Sequence, residues 1–494
     1  MKKILVAAWM LISFFANAQQ KNTLLNGKYW SEKPTLEQVK KEIAHGNNPA
    51  EANAGNHDVV SMAINNGASL DVIQYLIDQP GNSVDKNTHD GRLYIHWAAS
   101  KGNVELVKYL IQKGSSITQT DDKGATPLSF AASNGQANTD LYELFFQAGV
   151  DPKATYQNGA NALLLSISAD KDLKLANYLT TKGLSLHDVD EFGRTAFDYA
   201  ARTGNVDLLK KLINQGVKPT HHALIIASEG GRGFANNLDL YKFLIEEVKI
   251  QSNAIGIHGE NVLHNLVKKE KQEDIINYFI QQKVDINAQD ANGNTAFMIA
   301  CGTKNIDLVT QLLPMVKDIN KTNKLGETAL FMALQSGNAP MTELLLSQGA
   351  DAKIISKKGT AAHVLIQSYR KPRPGEGHDD FSKKIDLLKN YGVDFAQKTE
   401  DGSTILHLAI AKNDIQLLQI IEKLPVDINA QDELGMTALH KAAMMSKDDQ
   451  LMKHLISMGA NTRLQTELDE TPFDLASENE YLKEHNINID FLKQ

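Results

Sequence analysis

Val426-Asp427-Ile428-Asn429-Ala430-Gln431-Asp432-Glu433-Leu434-Gly435-Met436-Thr437-Ala438-Leu439-His440 is the stretch on which the fold turns. Its opening occurs once before, as Val284-Asp285-Ile286-Asn287-Ala288-Gln289-Asp290, again followed by a glycine, in Gly293-Asn294-Thr295-Ala296-Phe297. Related segments are Asp90-Gly91-Arg92-Leu93-Tyr94-Ile95-His96-Trp97-Ala98-Ala99 and Glu191-Phe192-Gly193-Arg194-Thr195-Ala196-Phe197. The equivalent glycines stand at 91, 124, 159, 193, 259, 293, 326, 402 and 435, with steps of 33, 35, 34, 66, 34, 33, 76 and 33. The step of 66 is two periods, and the step of 76 is two periods with about ten residues added. A second glycine ladder runs through Gly114, Gly149, Gly183, Gly216, Gly349, Gly392 and Gly459. Three markers in one phase point to a repeat array, not to separate globular domains.

The residue types explain the period. The first glycine suits a turn with positive φ. The threonine after it caps a helix, and Pro127 and Pro472 occupy the first helical place, where a missing N–H does no harm. Leu128, Leu263, Leu330, Leu406 and Leu439 are expected to point inward, and pairs such as Ala98-Ala99 keep the first helix slim. Val104, Leu106-Val107 and Leu110-Ile111 give the second helix one apolar face, and Gly114 ends it. A single such unit cannot bury its own face, so stacking must supply the core.

From about residue 28 to its end the chain resembles the ankyrin family, whose pattern is a Gly-x-Thr-Pro/Ala-Leu-His core at this period. The resemblance implies an all-α fold, an ankyrin-repeat solenoid of about thirteen helix-turn-helix units in a curved right-handed stack with polar caps. The expected organisation is a capping unit within 19–52, a first block over 53–219, a second block over 220–467 and a C-terminal cap over 468–494. The weak motif at Thr220-His221-His222-Ala223-Leu224 marks the division. Two insertions interrupt the second block, at 229–237 and 368–380.

Composition removes several function classes. The formal net charge of -8 argues against general nucleic-acid binding, which needs a basic face. One cysteine excludes an intramolecular disulfide framework and any cysteine-built zinc or iron–sulfur centre within the chain. Met1-Lys2-Lys3, an apolar run from Ile4 to Phe15 and Ala16-Asn17-Ala18 form a basic, an apolar and a small-x-small region in order. That is the layout of a cleaved secretory signal over 1–18, too short to span a bilayer. The expected address is the bacterial periplasm, with secretion as the alternative, and no stable membrane anchor.

No catalytic motif announces itself. Gly-x-Ser-x-Gly, His-Glu-x-x-His and Walker patterns do not occur. His96, His264, His407 and His440 take the fourth place of the motif, with His363 one residue out of step. In the family this imidazole ties adjacent turns together, so they are read as structural, and no metal or cofactor is expected. His221-His222 are adjacent and make a poor chelate. In 188–199, Phe192 and Tyr199 stand where a calcium loop needs oxygen ligands, which rejects that reading. Cys301 sits in an alanine place and is read as a small packer, and Trp97 as a packing residue.

What remains is a binding surface. In the family, partners dock on the outer turns and first helices. Those places here hold Arg92, Lys101, Arg194 and Arg202, a basic strip, and Met436, Met444 and Met445, an adaptable apolar patch. Arg370 and Arg373 belong to a basic, proline-rich insertion suited to a carboxylate-bearing partner. The expectation is a monomeric, non-catalytic scaffold that binds a protein partner and no nucleic acid. The alternatives are a secreted effector aimed at another cell's proteins, or an enzyme or ligand binder built around 368–380.

Overall fold

A computed structural model describes residues 22–231, 235–373 and 379–493. The segment 1–18, expected to be a secretory signal, lies outside the described residues, as do 232–234 of the first insertion and 374–378 of the second. The 28 α-helices fall in sequence into fourteen antiparallel pairs among the described residues. The sequence count of about thirteen is one short of this, and the pair His222–Glu229 with Leu238–Lys242, which lacks the motif glycine, is the unit inside the step of 66. Isolated antiparallel bridges, Val189 to Thr195 among them, close the turns between pairs.

The local chemistry recurs from pair to pair. Thr126 accepts from the Ser129 backbone N–H, with Pro127 in the first helical turn of Pro127–Ser133. In the opening stretch His440 replaces that serine: the Thr437 N–H donates to His440 Nδ1 at 3.1 Å. Nδ1 is therefore the acceptor, and the Nε2 proton faces the Glu470 carbonyl of the next turn at 3.2 Å. His96, His264 and His407 repeat the reach, to the carbonyls of Ala125, Asn294 and Met436 at 3.1, 3.1 and 2.9 Å. Burial holds the imidazoles of all four below the usual histidine range.

Successive turns are joined by a backbone rung. Glu467 N–H donates to the Leu434 carbonyl at 3.0 Å, and Lys324 N–H to that of Asn292 at 2.9 Å. The rung leaves no room for a side chain at the turn. Gly435 has φ +71°, and a Cβ there would stand 2.9 Å from Glu467 N.

The chain divides into two compact units, Met1–Ala223 and Leu224–Gln494. In the first, Tyr94–Ser100 packs between Val59–Asn65 and Pro127–Ser133. Ala98 and Ala99 are fully buried at that approach. Below it, Tyr94 donates to Asp58 Oδ2 at 2.5 Å, and Lys86 pairs with the same carboxylate at 3.0 Å. The start of this unit is covered by Trp30, which is buried and donates from Nε1 to the Leu24 carbonyl at 2.7 Å. At its end Thr220 donates through its N–H and hydroxyl to Asp198, at 2.9 and 2.7 Å. That pair of bonds stands in for the missing turn motif.

In the second unit, Ala329–Gln335 packs between Ala296–Cys301 and Ala361–Ser368, and Ala438–Met445 between Ile405–Ile410 and Pro472–Glu478. Leu330, Leu406 and Leu439 are buried, as the motif requires. After the first insertion, Leu238–Lys242 runs on into a π-helical turn, Phe243–Glu247. Cys301 is buried, and burial pushes its thiol well above the usual range, so it packs and does not react.

Candidate interaction surface

The turns build the surface, and they sort its charged residues into struts and free groups. In 121–126 the Asp121 Oδ1 accepts from the backbone N–H groups of Lys123 and Ala125, at 3.0 and 2.9 Å. This leaves Oδ2 for the preceding turn, and Arg92 Nε donates to it at 2.9 Å. The guanidinium also pairs with Asp90 at 3.0 Å and lies over the rings of Trp97 and Phe130, 5.0 and 4.4 Å from their centroids. The Arg92 side chain is 8% exposed. Arg92 is thus a strut between turns and not a docking residue, which corrects the sequence expectation. The reason is that the next turn supplies a carboxylate already oriented by its own backbone.

Arg194 meets the same fate. It pairs with Asp190 of its own turn and lies between the rings of Phe192 and Tyr199, each centroid 5.3 Å away. Asp190 is committed further, accepting from Phe192 and Arg194 N–H groups and from the Tyr199 hydroxyl at 2.8 Å. Arg202 is half-buried and engaged in contacts of its own. Lys101 alone of the four is exposed. The basic strip expected over the early repeats therefore does not form. Trp97 is also spent on the frame, its Nε1 donating to Thr88 Oγ1 at 2.9 Å.

The methionines divide in a similar way. Met436 is half-buried, and its backbone serves the frame through Asp432 and His407. Met444 and Met445, at the end of Ala438–Met445, are 52% and 53% exposed. Elsewhere on the surface the structure shows apolar groups that sequence reading passes over. Leu434 and Leu468 sit at the tips of consecutive turns and are 62% and 79% exposed. Leu325 occupies the same tip place in an earlier turn and is exposed, and Ile355, three positions before the next tip, is exposed as well. A signal was present, because Leu325 and Leu434 each stand directly before the turn glycine, the place a tip residue must occupy.

The second insertion lines a cavity of about 780 Å³, bounded by Ser336–Asn338, Ser368–Arg373 and the first turn of Asp379–Asn390. Arg370 and Arg373 are exposed at its wall. Lys384, 5% exposed, donates to the carbonyls of Gly337 and Leu334 at 2.8 and 3.3 Å and pairs with Asp380 at 3.5 Å. Asp380 in turn accepts from the Ala339 N–H at 2.7 Å. Tyr369 donates to Asp414 Oδ2 at 2.9 Å, so the start of the insertion is tied down. Of these residues, only Arg370 and Arg373 are read from the sequence as partner-binding. Lysines 47 positions from their acceptors leave no local pattern. Among the described residues, no group of three His, Cys, Asp or Glu side chains is placed to hold a metal ion, and no helix is long and apolar enough to cross a membrane.

Known proteins share the repeat. A family profile described as ankyrin repeats (3 copies) matches residues 60–155, 136–223, 224–323, 263–356, 302–371 and 406–490. The chain is similar to the palmitoyltransferase AKR1 of Lachancea kluyveri, 31% identical over 159 residues, which is 31% of this chain and 21% of that protein. It is 27% identical over 215 residues to a probable 26S proteasome regulatory subunit p28 of Saccharomyces cerevisiae, covering 40% of this chain and 90% of the subunit. A putative ankyrin repeat-containing protein of Treponema pallidum is 29% identical over 133 residues, 27% of this chain and 43% of that one. Among solved structures, the human ASB11 ankyrin repeat domain aligns with a TM-score of 0.39 at 20% identity, over 45% of this chain and 96% of that domain. The match thus spans about a fifth of the length of the palmitoyltransferase, well short of the whole relative.

Proposed function

The chain belongs to the ankyrin-repeat family, and from that premise we propose that it is a non-catalytic scaffold which docks another exported protein in the periplasm. Ankyrin repeats generally mediate protein–protein interaction, and the partner surface here is assigned to the turn tips and first helices of the second unit. One observation carries the assignment. Leu434 and Leu468 stand in water on neighbouring tips whose backbones are locked together by the Glu467–Leu434 rung. Large apolar side chains held rigidly in solvent mark interaction sites, because burying them against a partner costs little ordering entropy. Met444 and Met445 offer further apolar area at the far end of the same helix.

The export half of the proposal rests on the order of charges and apolar residues in 1–18. Cross-linking of the chain in cells, followed by capture from a periplasmic extract, tests both halves. A reproducible partner that is lost from the double variant Leu434→Glu with Leu468→Glu is the expected result. Recovery of the chain chiefly from the cytosol or the medium removes the periplasmic assignment, and capture that is indifferent to both leucines removes the docking one.

A further inference from the structure

The second unit carries a groove whose charge runs against the rest of the molecule. The cavity of about 780 Å³ beside the second insertion adjoins another of about 360 Å³, and the two share Gln335, Ser336, Ser368, Tyr369 and Arg370. Together they form one depression of two adjoining lobes at the ends of the first helices. Among the described residues, five cationic side chains face the larger lobe against a single carboxylate, in a chain of net charge -8.

The charges differ in what they are free to do. Lys384 and Lys412 cap helix ends, donating to the carbonyls of Gly337 and Gln367. The carboxylate, Asp380, is spent on the Ala339 N–H and on Lys384. Arg370 and Lys304 make no hydrogen bond or ion pair with any described residue. Lys304 is also close enough to Lys384 for the two like charges to repel. Cations that outnumber the acids beside them raise the free energy of the empty groove, and an anion placed among them lowers it. The neutral lining mixes hydroxyl and amide groups (Gln335, Ser336, Asn338, Ser368) with apolar side chains such as Leu365 and Phe381, which suits a peptide with a polar backbone and methylene-bearing side chains.

We propose that this groove binds an extended acidic segment of the docked protein, with Arg370 at the junction of the lobes and Lys304 on the wall of the larger one receiving Asp or Glu carboxylates. The segment is a peptide and not a free oxyanion because the depression has two lobes that share Arg370: a small anion occupies one lobe, whereas a chain spans both. This deepens the docking assignment and rests on it, but places the acidic contact away from the apolar tips.

The test uses the full chain and a fluorescein-labelled decapeptide of Glu and Ser, with its Gln-for-Glu counterpart, followed by fluorescence anisotropy. Binding of the acidic peptide alone at low ionic strength is expected, weakened about tenfold or more in the double variant Lys304→Ser with Arg370→Ser. Both positions are exposed, so the melting curve of the variant serves as the check that folding is intact. Equal binding by variant and parent overturns the proposal, as does failure of the acidic peptide to bind. Displacement of the peptide by inorganic pyrophosphate at concentrations no higher than those of unlabelled peptide overturns it in favour of a small anion. The same variant in the cross-linking capture separates the two claims. A partner retained by the variant but lost with Leu434→Glu and Leu468→Glu leaves the scaffold standing and the groove refuted.

Discussion

Lys384 Nζ lies 2.8 Å from the carbonyl oxygen of Gly337, in the helix pair before its own, and is buried there. The ammonium closes a helix end from the next pair, and the Leu334 carbonyl there also accepts from the Ser368 hydroxyl at 3.3 Å. Replacing Lys384 by Met keeps the volume and removes the donor, leaving the Gly337 carbonyl short of a partner. A loss of about 1–3 kcal/mol is expected in chemical denaturation, the cost of a buried acceptor left unsatisfied.

Arg92 and Lys101 separate frame from surface. Arg92→Ala leaves the buried Asp121 carboxylate without its counter-charge and removes the group stacked on Trp97 and Phe130. Destabilisation of about 3–5 kcal/mol is expected, as for a broken buried pair. Lys101→Ala changes only an exposed side chain and is expected to stay within about 0.5 kcal/mol of the parent. Equal melting shifts for the two variants would contradict the strut.

Two glycines with similar backbones have different neighbours. Gly459 has φ +98° and open space where a methyl group would stand, so Gly459→Ala meets backbone strain alone, about 1–2 kcal/mol. Gly435→Ala adds a clash with Glu467 N at 2.9 Å and must part the rung between turns. The second variant is expected to melt measurably lower than the first.

The buried histidines set a pH dependence. His96, His264, His363, His407 and His440 are held by burial below their unfolded value of 6.5. As pH falls through that value the unfolded chain takes up protons before the folded one, so stability must decline with acidification. Thermal melts are expected to fall in midpoint from pH 7.5 to pH values near 5. The carboxylates of Asp90, Asp432 and Glu327, held low by lysine partners, add to the loss only at still lower pH. A His407→Gln variant is expected to show a shallower decline.

Docking and folding are predicted to respond to different residues. Met444→Glu with Met445→Glu changes two half-exposed side chains at a helix end, and its melting midpoint is expected within a degree or two of the parent. Partner recovery by cross-linking is expected to drop several-fold. Loss of stability in place of recovery would return these methionines to the frame.

The repeat phase, the threonine and proline caps, the inward leucines and the histidine reach were legible because each is local or recurs at one fixed interval. His440 meets Glu470 thirty positions on for the same reason that His264 meets Asn294 thirty positions on. The surface was less legible. Arg92 and Arg194 look like free cations in the chain and prove to be paired within the frame, whereas Leu434 and Leu468 look like core residues and stand in solvent. Residue type predicts burial on average, but at a turn it is overridden by where the backbone places the tip.

The amino-acid order alone determined the unit and its stacking: a glycine that only a left-handed turn requires, a capped slim helix, an amphipathic helix and a second glycine stop. These are short-range requirements, satisfied or violated within about one period. Only the tertiary structure decided which charges are consumed by the stack and which face solvent. Arg92 finds Asp121 at 29 positions and Lys384 finds Gly337 at 47, each through the backbone of another repeat. The environment of a surface side chain is built by its spatial neighbours, and an insertion such as 368–380 changes those neighbours without changing the repeat.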